Sequence, residues 1–567
     1  MKVFISSGNA PGQGTGYGQQ VTHIMRALRK ESHEIIVCGW SMILPRMAFK
    51  MIPWKQAMTE LSKDLASKFS AADHALFADK TYLMVNPLHK WPALVPKDVL
   101  NHMLRLTQSD LLIAFQDIFV FGRGPFVCPS MVWMPLHFMP LEHKTFYVLD
   151  DFTDVVAMTH YGRELLARSF QDPAKHARAE GTFFYRRPLD YAPHGCDLDI
   201  FRPLEGATSP DALGRAAAYA DRAELRRRLG WPEDAFVGLI IAANTEGSNR
   251  KAFDTQLQAW ARFAHAHRRR TGQRAYLHVH TKNDGEMDLP RLLEMYGLHD
   301  GHARAVGDSE WGRTACGPEG PWARDWSMTP PARYGALSQR EIVQMYQAAD
   351  VLLAASCAEG FGVPIIEAQL CGCPVITNWT TSMMELTRFG RAAGSAQVLF
   401  RNDFCTGWQQ PDPVRLARAM REVAAWDPAR RAELLRAALP LLRARYAAAT
   451  VEEAWTRIAR KWAARMDLAK GTVDGVPAPV NAALAVGKQA RDLYLRQVHA
   501  TADRAKLEQT FKELTERARA NRDARALLAE LRRPDPAAAS ASSALVPTAP
   551  RAATAATAAA AVAVGCS

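Results

Sequence analysis

The chain has 567 residues, 48% of them hydrophobic, which is enough for more than one domain with a buried core. No apolar run reaches about 18 residues, so we expect no membrane-spanning helix. The nine cysteines form no C-x-x-C pair, which argues against a zinc site, and their scatter favours reduced thiols and a cytoplasmic location. The net charge of +12 favours anionic partners, although arginines that merely solvate helix faces give the same composition.

The N-terminal stretch predicts a strand over residues 2–6, a helix over 19–28 and a second strand over 34–37. Glycines 12, 14, 16 and 18 stand between the first strand and the helix, where they let the backbone approach a ligand at the strand end. The pattern G-x-x-x-x-G-K-[ST] is absent, so this segment is not a P-loop.

Further along, apolar runs at 110–114 and 132–137 predict two buried strands, the second ending at His137. Asp150, Asp151 and Asp154 are spaced like a metal-binding D-x-D group. They stand just before the apolar run 155–158, so we expect them to cap or solvate a turn instead.

The second half begins with a predicted strand at 236–242, a helix at 253–263 and a strand at 276–280. Asn244, Arg250 and Lys251 lie in the loop between the first strand and the helix. Residues 300–335 form a long connection rich in glycine, proline and tryptophan, and loops of that length are often functional. Near the end of this half, the region from Trp408 to Met466 is predicted to be mostly helical.

A strand, loop, helix and strand follow one another between Leu337 and Leu386. Residues 351–355 predict a buried parallel strand, and the loop 359–363 leads through a proline into a helix that ends at Gly372. The N-terminus of such a helix favours an anion. Glu367 is expected on the first turn, where its carboxylate reaches ligand hydroxyls. The alternative is that this glutamate only balances the positive end of the helix dipole.

The run EGFGVPIIE at 359–367, followed by G-x-P-V-I and by Glu385, resembles the E-x7-E signature of retaining glycosyltransferases with the GT-B fold. It is most similar to family 4, whose members use nucleotide sugars. The resemblance extends over residues 1–465 and includes the segment 192–203. It implies that Glu367 holds the nucleotide ribose and Glu359 the transferred sugar.

Further roles follow from the same resemblance. Backbone amides of the loop line the sugar phosphate, His137 faces the donor sugar as a catalytic partner of Glu359, and the donor diphosphate lies near the glycine loop and the loop after the first strand of the second domain. The alternative is that His137 is an ordinary loop histidine whose ring is hydrogen-bonded within the protein and has no role in catalysis. Cations at a helix start oppose the dipole, so Arg250 and Lys251 favour a bound anion over simple solvation. The residues implied for the sugar phosphate are Phe361, Gly362 and Val363, and those for the diphosphate are Arg250, Lys251, Gly16 and Asn244.

The expected fold is therefore α/β, with two Rossmann-like domains whose parallel sheets face a cleft, followed by a helical extension. No cofactor and no obligatory metal are expected, since the nucleotide sugar is a co-substrate. Partners would be this donor, an acceptor of undefined class and an anionic surface. The expected segments are an acceptor-side domain (1–204), a nucleotide-sugar-binding domain (205–440), a closing helix (441–470), a helical extension (480–533) and a disordered tail rich in alanine, proline and serine (534–567).

Two other functions remain open from the sequence. The basic composition also suits a glycosyltransferase that modifies nucleic acid, which would bind DNA in a salt-sensitive way. A sugar- or nucleotide-binding assembly protein with the same fold and no activity is the other, although Glu359, Glu367 and Lys251 are all present.

Overall fold

The computed structural model describes most of the chain up to residue 477. The segments 300–324, 480–533 and 534–567, whose organisation is predicted from sequence, lie outside the described residues, as do Gly14 and Asp150. The described residues are 1–12, 16–40, 51–60, 66–84, 95, 97–122, 126–137, 148–149, 151–170, 189–245, 249–282, 285–298, 325–401, 406–470, 472–473 and 476–477.

The first domain is built on an eight-stranded sheet in the order β3-β4-β2-β1-β5-β6-β7-β8. Every neighbouring pair is parallel except β3 and β4. The strands are β1 (Lys2–Ser7), β2 (Glu34–Gly39), β3 (Met51–Pro53), β4 (Thr81–Met84), β5 (Leu111–Phe115), β6 (Ser130–Met134), β7 (Asp154–Ala157) and β8 (Asp190–Tyr191). The helices are α1 (Gly16–Lys30), α2 (Trp54–Glu60), α3 (Ala71–Phe77), α4 (Lys97–Thr107) and α5 (His160–Phe170).

The second domain has a six-stranded parallel sheet in the order β11-β10-β9-β12-β13-β14. Its strands are β9 (Phe236–Ile241), β10 (Ala275–His280), β11 (Trp326–Met328), β12 (Val351–Ala354), β13 (Val375–Asn378) and β14 (Gly390–Ala393). Its helices are α6 (Ala212–Leu229), α7 (Phe253–Thr271), α8 (Leu289–Met295), α9 (Gln339–Ala348), α10 (Val363–Leu370) and α11 (Met383–Leu386). Strand β11 lies inside the stretch expected to be a long connection.

A hairpin and three helices complete the described chain. The region from Trp408 to Met466 is mostly helical as expected, but Trp408 itself lies in a strand of the hairpin. These elements are β15 (Ser395–Arg401), β16 (Thr406–Pro411), α12 (Pro413–Ala424), α13 (Pro428–Tyr446) and α14 (Ala448–Lys470). Two short antiparallel strands of two residues each follow them, β17 (Thr472–Val473) and β18 (Val476–Pro477).

Local sequence explains where the elements begin and end. Ser338 caps α9 as half of a capping box with Glu341, in which each side chain bonds the other's backbone N–H. Gly230 ends α6 with φ of 69°, a left-handed conformation that favours glycine. The central strands β1, β9 and β12 are mostly apolar and are buried over nearly their whole length, as parallel strands covered on both faces are.

The last helix joins the two domains. After α13 the chain crosses back to the first domain, where Cys196 N donates to Tyr446 O at 2.7 Å and Ala448 N donates to Cys196 O at 2.8 Å. Helix α14 then packs on α1, and Trp455 contacts Trp133 edge to face with ring centroids 5.1 Å apart. In the described part of the chain, no helix is both long and apolar enough to cross a membrane.

Both sheets contain a point where the strand order reverses. In the first sheet it lies between β1 and β5, and in the second between β9 and β12. Ligands of open parallel sheets bind at the carboxyl ends of strands beside such a reversal. The loops after β9 and β12 are those in which the sequence placed Arg250, Lys251 and Glu359.

Candidate functional site

Three charged side chains meet where β9 and β12 end. Arg250 Nη1 lies 3.1 Å from Glu359 Oε2, and Lys251 Nζ lies 2.6 Å from Glu359 Oε1. Their side chains are only 11 to 18% exposed. One carboxylate shared by two cations leaves a surplus positive charge in a largely buried place. An anion is the ligand that complements it.

The backbone that presents the two cations has an uncommon conformation. Asn249 and Ala252 have φ of 50° and 49°, in the left-handed region. Asn249 Oδ1 accepts from Phe253 N at 3.0 Å, and Gln256 Nε2 donates to Lys251 O at 2.7 Å. Such strain, held in place by surrounding bonds, is typical of functional sites.

Glu359 is held in place through both its carboxylate and its backbone. Ser356 Oγ donates to Oε1 at 2.5 Å, and the Glu359 backbone N donates to Thr381 Oγ1 at 3.0 Å. Ser382 Oγ donates to Glu359 O at 3.0 Å. These bonds leave the side chain little freedom, so it orients the two cations and any ligand group beside it.

Opposing effects set the ionisation of Glu359. Burial would raise its pKa, but Lys251 and then Arg250 outweigh burial and lower the pKa to about 2. The group is therefore a carboxylate at any pH near neutral, and it can accept a hydrogen bond but cannot donate a proton.

The first domain reaches the same place through the loop after β6. Pro135 packs against Gly360 so closely that a Cβ at position 360 would lie 2.2 Å from Pro135 Cβ. His137 is buried beside the charged group, and burial, followed by the charge of Arg250, lowers its pKa to about 3. The imidazole is thus neutral at pH 7 and adds hydrogen-bonding capacity without charge.

The loop residues Phe361, Gly362 and Val363 form the turn into α10. Gly362 has φ of 102°, which explains the need for glycine, and Ser382 Oγ donates to Phe361 O at 2.6 Å. Gly16 is the first residue of α1, and a Cβ on it would lie 3.6 Å from Val363 Cγ2. The N-termini of α1 and α10 are therefore close across the two domains, and both provide backbone N–H groups that have no partner within their own helix.

Glu367 lies further along α10 than the sequence predicted. The helix begins at Val363 with Pro364 in its first turn, so Glu367 follows that turn and the expected first-turn position is wrong. Its Oε2 accepts from the Tyr346 hydroxyl at 2.9 Å. Burial raises its pKa to about 7, against the lowering effect of that bond. A ligand hydroxyl would compete with Tyr346 for this carboxylate.

Asn244 supports a neighbouring turn. Its Nδ2 donates to Met287 O at 2.8 Å and its Oδ1 accepts from Met287 N at 3.1 Å. Gly285 packs on the same residue, since a Cβ there would lie 1.9 Å from Asn244 O. The hydrogen bonds of the Asn244 side chain among the described residues are thus with this turn, and its role at the diphosphate stays a prediction.

His194, to which the sequence assigned no role, lies in the contact between the domains. Its ring stacks on Phe361 with centroids 4.4 Å apart and meets Phe115 and Trp133 edge to face. Burial lowers its pKa to about 3, so the ring is neutral. The segment 192–203 indicated that this region matters, but the contact with residue 361 joins distant parts of the chain that sequence spacing does not connect.

Glu385 also links the domains. Its carboxylate accepts from the backbone N–H groups of His160 and Tyr161 at 3.2 and 2.9 Å, and so caps α5 of the first domain. The sequence identified Glu385 as part of the signature without giving it a function.

The acidic residues that resemble D-x-D have structural contacts. Asp151 pairs with Lys97 at 2.8 Å, and the Asp154 carboxylate accepts from Val155 N at 3.0 Å within β7. Across the residues that the structure describes, no group of three or more His, Cys, Asp or Glu side chains is arranged to hold a metal ion.

Residues 333–393, which contain both loop glutamates and helix α10, match the family described as glycosyl transferases group 1. This segment is therefore similar to the group 1 glycosyltransferases. The resemblance inferred from the E-x7-E run is thereby confirmed. The D-inositol 3-phosphate glycosyltransferase 1 of Catenulispora acidiphila is 28% identical over 247 residues, which are 43% of this chain and 45% of that relative. The chain spans less than half the length of the curated relatives it matches.

Solved structures that align with most of the chain, well beyond residues 333–393, share its two-domain architecture. The sucrose-phosphate synthase of Thermosynechococcus elongatus has a TM-score of 0.51 at 14% identity, covering 82% of this chain and 100% of that one. A trehalose-6-phosphate structure from E. coli, bound with UDP-2-fluoro glucose, has a TM-score of 0.50 at 10% identity, covering 81% and 98%. These likenesses show the fold, and the expected GT-B arrangement of two Rossmann-like domains is confirmed.

Proposed function

We propose that the protein is a retaining glycosyltransferase that moves a sugar from a nucleoside diphosphate sugar to an acceptor. The observation that carries the proposal is the convergence of Arg250, Lys251 and Glu359 at the strand reversal of the second sheet, facing His137 of the first domain. The names of the relatives and the nucleotide sugar bound in a fold neighbour support it.

The charges suit the bond that breaks. When the anomeric carbon separates from the diphosphate, the sugar gains oxocarbenium character and the phosphate oxygens gain negative charge. Arg250 and Lys251 bind those oxygens more strongly as the charge develops, so they stabilise the transition state more than the bound substrate. Backbone N–H groups at Gly16, Gly362 and Val363 add uncharged donors to the same phosphates.

The remaining residues orient the donor. Glu359 accepts a hydroxyl of the sugar while it holds the two cations in place, and neutral His137 bonds the sugar from the opposite domain. Glu367 accepts the ribose hydroxyls once they replace the Tyr346 hydroxyl. Burial by both domains excludes water, which protects the activated sugar from hydrolysis.

Two further properties belong to the proposal. The reaction needs no divalent ion, because the two cations supply the charge for the leaving group. The location is cytoplasmic, which is supported by the scattered cysteines of the sequence, since their spacing favours reduced thiols.

A donor screen tests the proposal directly. Nucleotide sugars are tested by thermal shift, since a ligand that binds only the folded state raises its melting temperature, and the best donor is used in a turnover assay. Lys251→Ala and Arg250→Ala are each expected to lower turnover at saturating donor about a hundredfold. Arg262→Ala, which changes an exposed arginine on α7, is the matched control.

Each alternative predicts a different result. If a chelator abolishes turnover and magnesium restores it, the reaction needs a divalent ion. That result would contradict metal independence and leave the proposed sugar transfer intact. Nucleotide-sugar binding without transfer or hydrolysis would favour a binding protein. Near-normal turnover in both cation variants would show that the diphosphate binds elsewhere.

A further inference from the structure

A second cluster of arginines lies on the second domain, away from the strand ends that carry Glu359. Arg222, Arg226 and Arg431 converge on the single carboxylate of Asp350. Arg222 Nη1 lies 3.0 Å from Oδ1, Arg226 Nη2 lies 2.6 Å from Oδ2 and Arg431 Nη1 lies 3.8 Å from Oδ1. All four side chains are at most 14% exposed.

The carboxylate of Asp350 has no capacity left to balance these charges. Its Oδ2 also accepts from Val237 N at 2.8 Å. Burial would raise the pKa of Asp350, but the three arginines outweigh burial and leave the pKa below its usual value. Burial and then the charge of Arg222 lower the pKa of Arg431 to about 10. Three buried guanidinium groups therefore share one negative charge, and the surplus is largely shielded from water.

A cavity of about 20 Å³ adjoins this cluster, which is more than the roughly 10–15 Å³ that one water needs. Arg222 and Arg431 line it together with Arg215 from the first turns of α6. Among the described residues that form its wall, three are arginines and none is Asp or Glu. Tyr219 forms another part of the wall, and Cζ of Arg222 lies over its ring, 5.0 Å from the ring centroid. The buried Nε of Arg222 has no hydrogen-bond partner among the described residues.

We propose that this cavity binds a tetrahedral oxyanion, either free phosphate or the phosphate group of a phosphorylated sugar. Arginine suits such a ligand because its planar fork donates two parallel hydrogen bonds to oxyanions. The cavity is separate from the donor site, since neither Arg250 nor Lys251 lines it.

The location couples the cavity to the connection between the domains. Leu204 and Ala207, which follow the first domain in the chain, form one side, and Gly372 at the end of α10 forms another. Arg431 Nη2 already donates to Gly372 O at 3.1 Å. A bound oxyanion therefore ties the interdomain connection to the helix that carries Glu367.

Calorimetry at constant ionic strength tests the site, with inorganic phosphate and glucose 6-phosphate as separate probes. We expect saturable binding of one or both to the wild type. Arg215→Gln and Arg222→Gln should each weaken it about tenfold or more, the effect of losing a hydrogen bond to a charged group. Arg215→Gln is the safer variant for folding, because its guanidinium bonds only the carbonyls of Ser209 and Pro210 among the described residues.

Two control variants make the result specific. Arg228→Gln makes the same charge change on α6, where the side chain is 65% exposed and pairs with Glu224, and it should keep wild-type affinity. Lys251→Ala should also keep it, since Lys251 belongs to the proposed donor site. Binding of glucose 6-phosphate alone would identify a phosphorylated sugar as the source. Absence of saturable binding, or binding that is unchanged in both Arg215→Gln and Arg222→Gln, would overturn the proposal, and a loss in Lys251→Ala would then place the anion at the donor site.

Discussion

Glu359 has to be ionised to hold Arg250 and Lys251 together, and its surroundings ensure that it is. Its pKa is lowered from 4.5 to about 2. The stability that this carboxylate contributes is therefore present above pH 4.5 and is lost as the pH falls towards 2. The same shift corresponds to about 3 kcal/mol of stability at neutral pH.

We predict that Glu359→Gln lowers turnover about a hundredfold while nucleotide affinity changes only a few-fold. Glutamine keeps the shape but cannot balance the two cations or hold them for the leaving diphosphate. Steady-state kinetics and calorimetry with nucleoside diphosphate measure the two effects. Glu286→Gln, at an exposed position of the second domain, is the control. A loss confined to nucleotide affinity would contradict the role given to Glu359.

Glu367 shows the opposite behaviour, because no cation compensates its burial. Folding raises its pKa from 4.5 to about 7. Ionising it therefore destabilises the folded protein increasingly as the pH rises from 4.5 to 7, and the full cost remains above pH 7. The carboxylate is kept despite this cost, which agrees with a role in accepting ligand hydroxyls.

We predict that Glu367→Gln raises stability at pH 8 by up to about 3 kcal/mol and that the gain vanishes near pH 4.5. Denaturant midpoints at the two pH values measure the change. The same variant should weaken nucleoside diphosphate binding, because the neutral amide is a poorer acceptor for ribose hydroxyls. Equal midpoints at pH 8 would show that the side chain is solvated in solution, and unchanged affinity would remove it from the ribose site.

At the scale of elements, the loop between β12 and α10 depends on close contact with the loop after β6. Gly360 has no room for a side chain because Pro135 lies against it. A Cβ added at position 360 would lie 2.2 Å from the Cβ of that proline and 2.9 Å from its Cα. Proline cannot rotate away as a flexible side chain would. The loop that carries Glu359 and the domain that carries His137 are therefore matched in shape.

We predict that Gly360→Ala forces the two loops apart and lowers donor affinity at least about tenfold, without unfolding either domain. Calorimetry with the donor, together with small-angle scattering for the separation of the domains, measures this. Gly122→Ala is the control, since a Cβ at Gly122 meets no atom within 4 Å. Donor affinity equal to that of the control would mean that the contact with Pro135 is not needed for binding.

At the scale of the whole molecule, the sequence predicted what local patterns determine. Apolar runs placed most of the central strands within one or two residues, but β6 ends at Met134, three residues before the His137 that was expected to end it. The charged loop residues Arg250, Lys251 and Glu359 were singled out by the resemblance to family 4, and for the two cations the helix dipole added a local argument. Hairpin β15–β16 was missed, since its strands alternate apolar and polar residues only weakly.

Contacts between distant segments could not be predicted in this way. The stacking of His194 on Phe361 and the capping of α5 by Glu385 join residues that lie far apart in the chain. Asn244 shows the converse, because its loop position was predicted but its side chain is committed to Met287. Which member of a loop faces the ligand depends on the packing of both domains.

The two domains are held together at the far side by α14, and one buried carboxylate is central to that contact. Glu452 accepts from Lys30 Nζ at 2.6 Å and lies 3.4 Å from His23 Nδ1 and 3.5 Å from Arg26 Nη1, all on α1. Burial would raise the pKa of Glu452, but these partners lower it. Its contribution is therefore present at neutral pH and decreases in acid.

We predict that Glu452→Gln loosens α14 from α1 and lowers stability at pH 7 by about 1–3 kcal/mol, with a smaller difference in acid. Thermal unfolding and the rate of limited proteolysis near α14 measure the change. Glu453→Gln is the matched control, because the neighbouring side chain is exposed on the same helix. If both variants behave alike, then the apolar contacts of Val451, Trp455 and Ile458 hold the helix without help from the buried charge, and the domains are joined by packing alone.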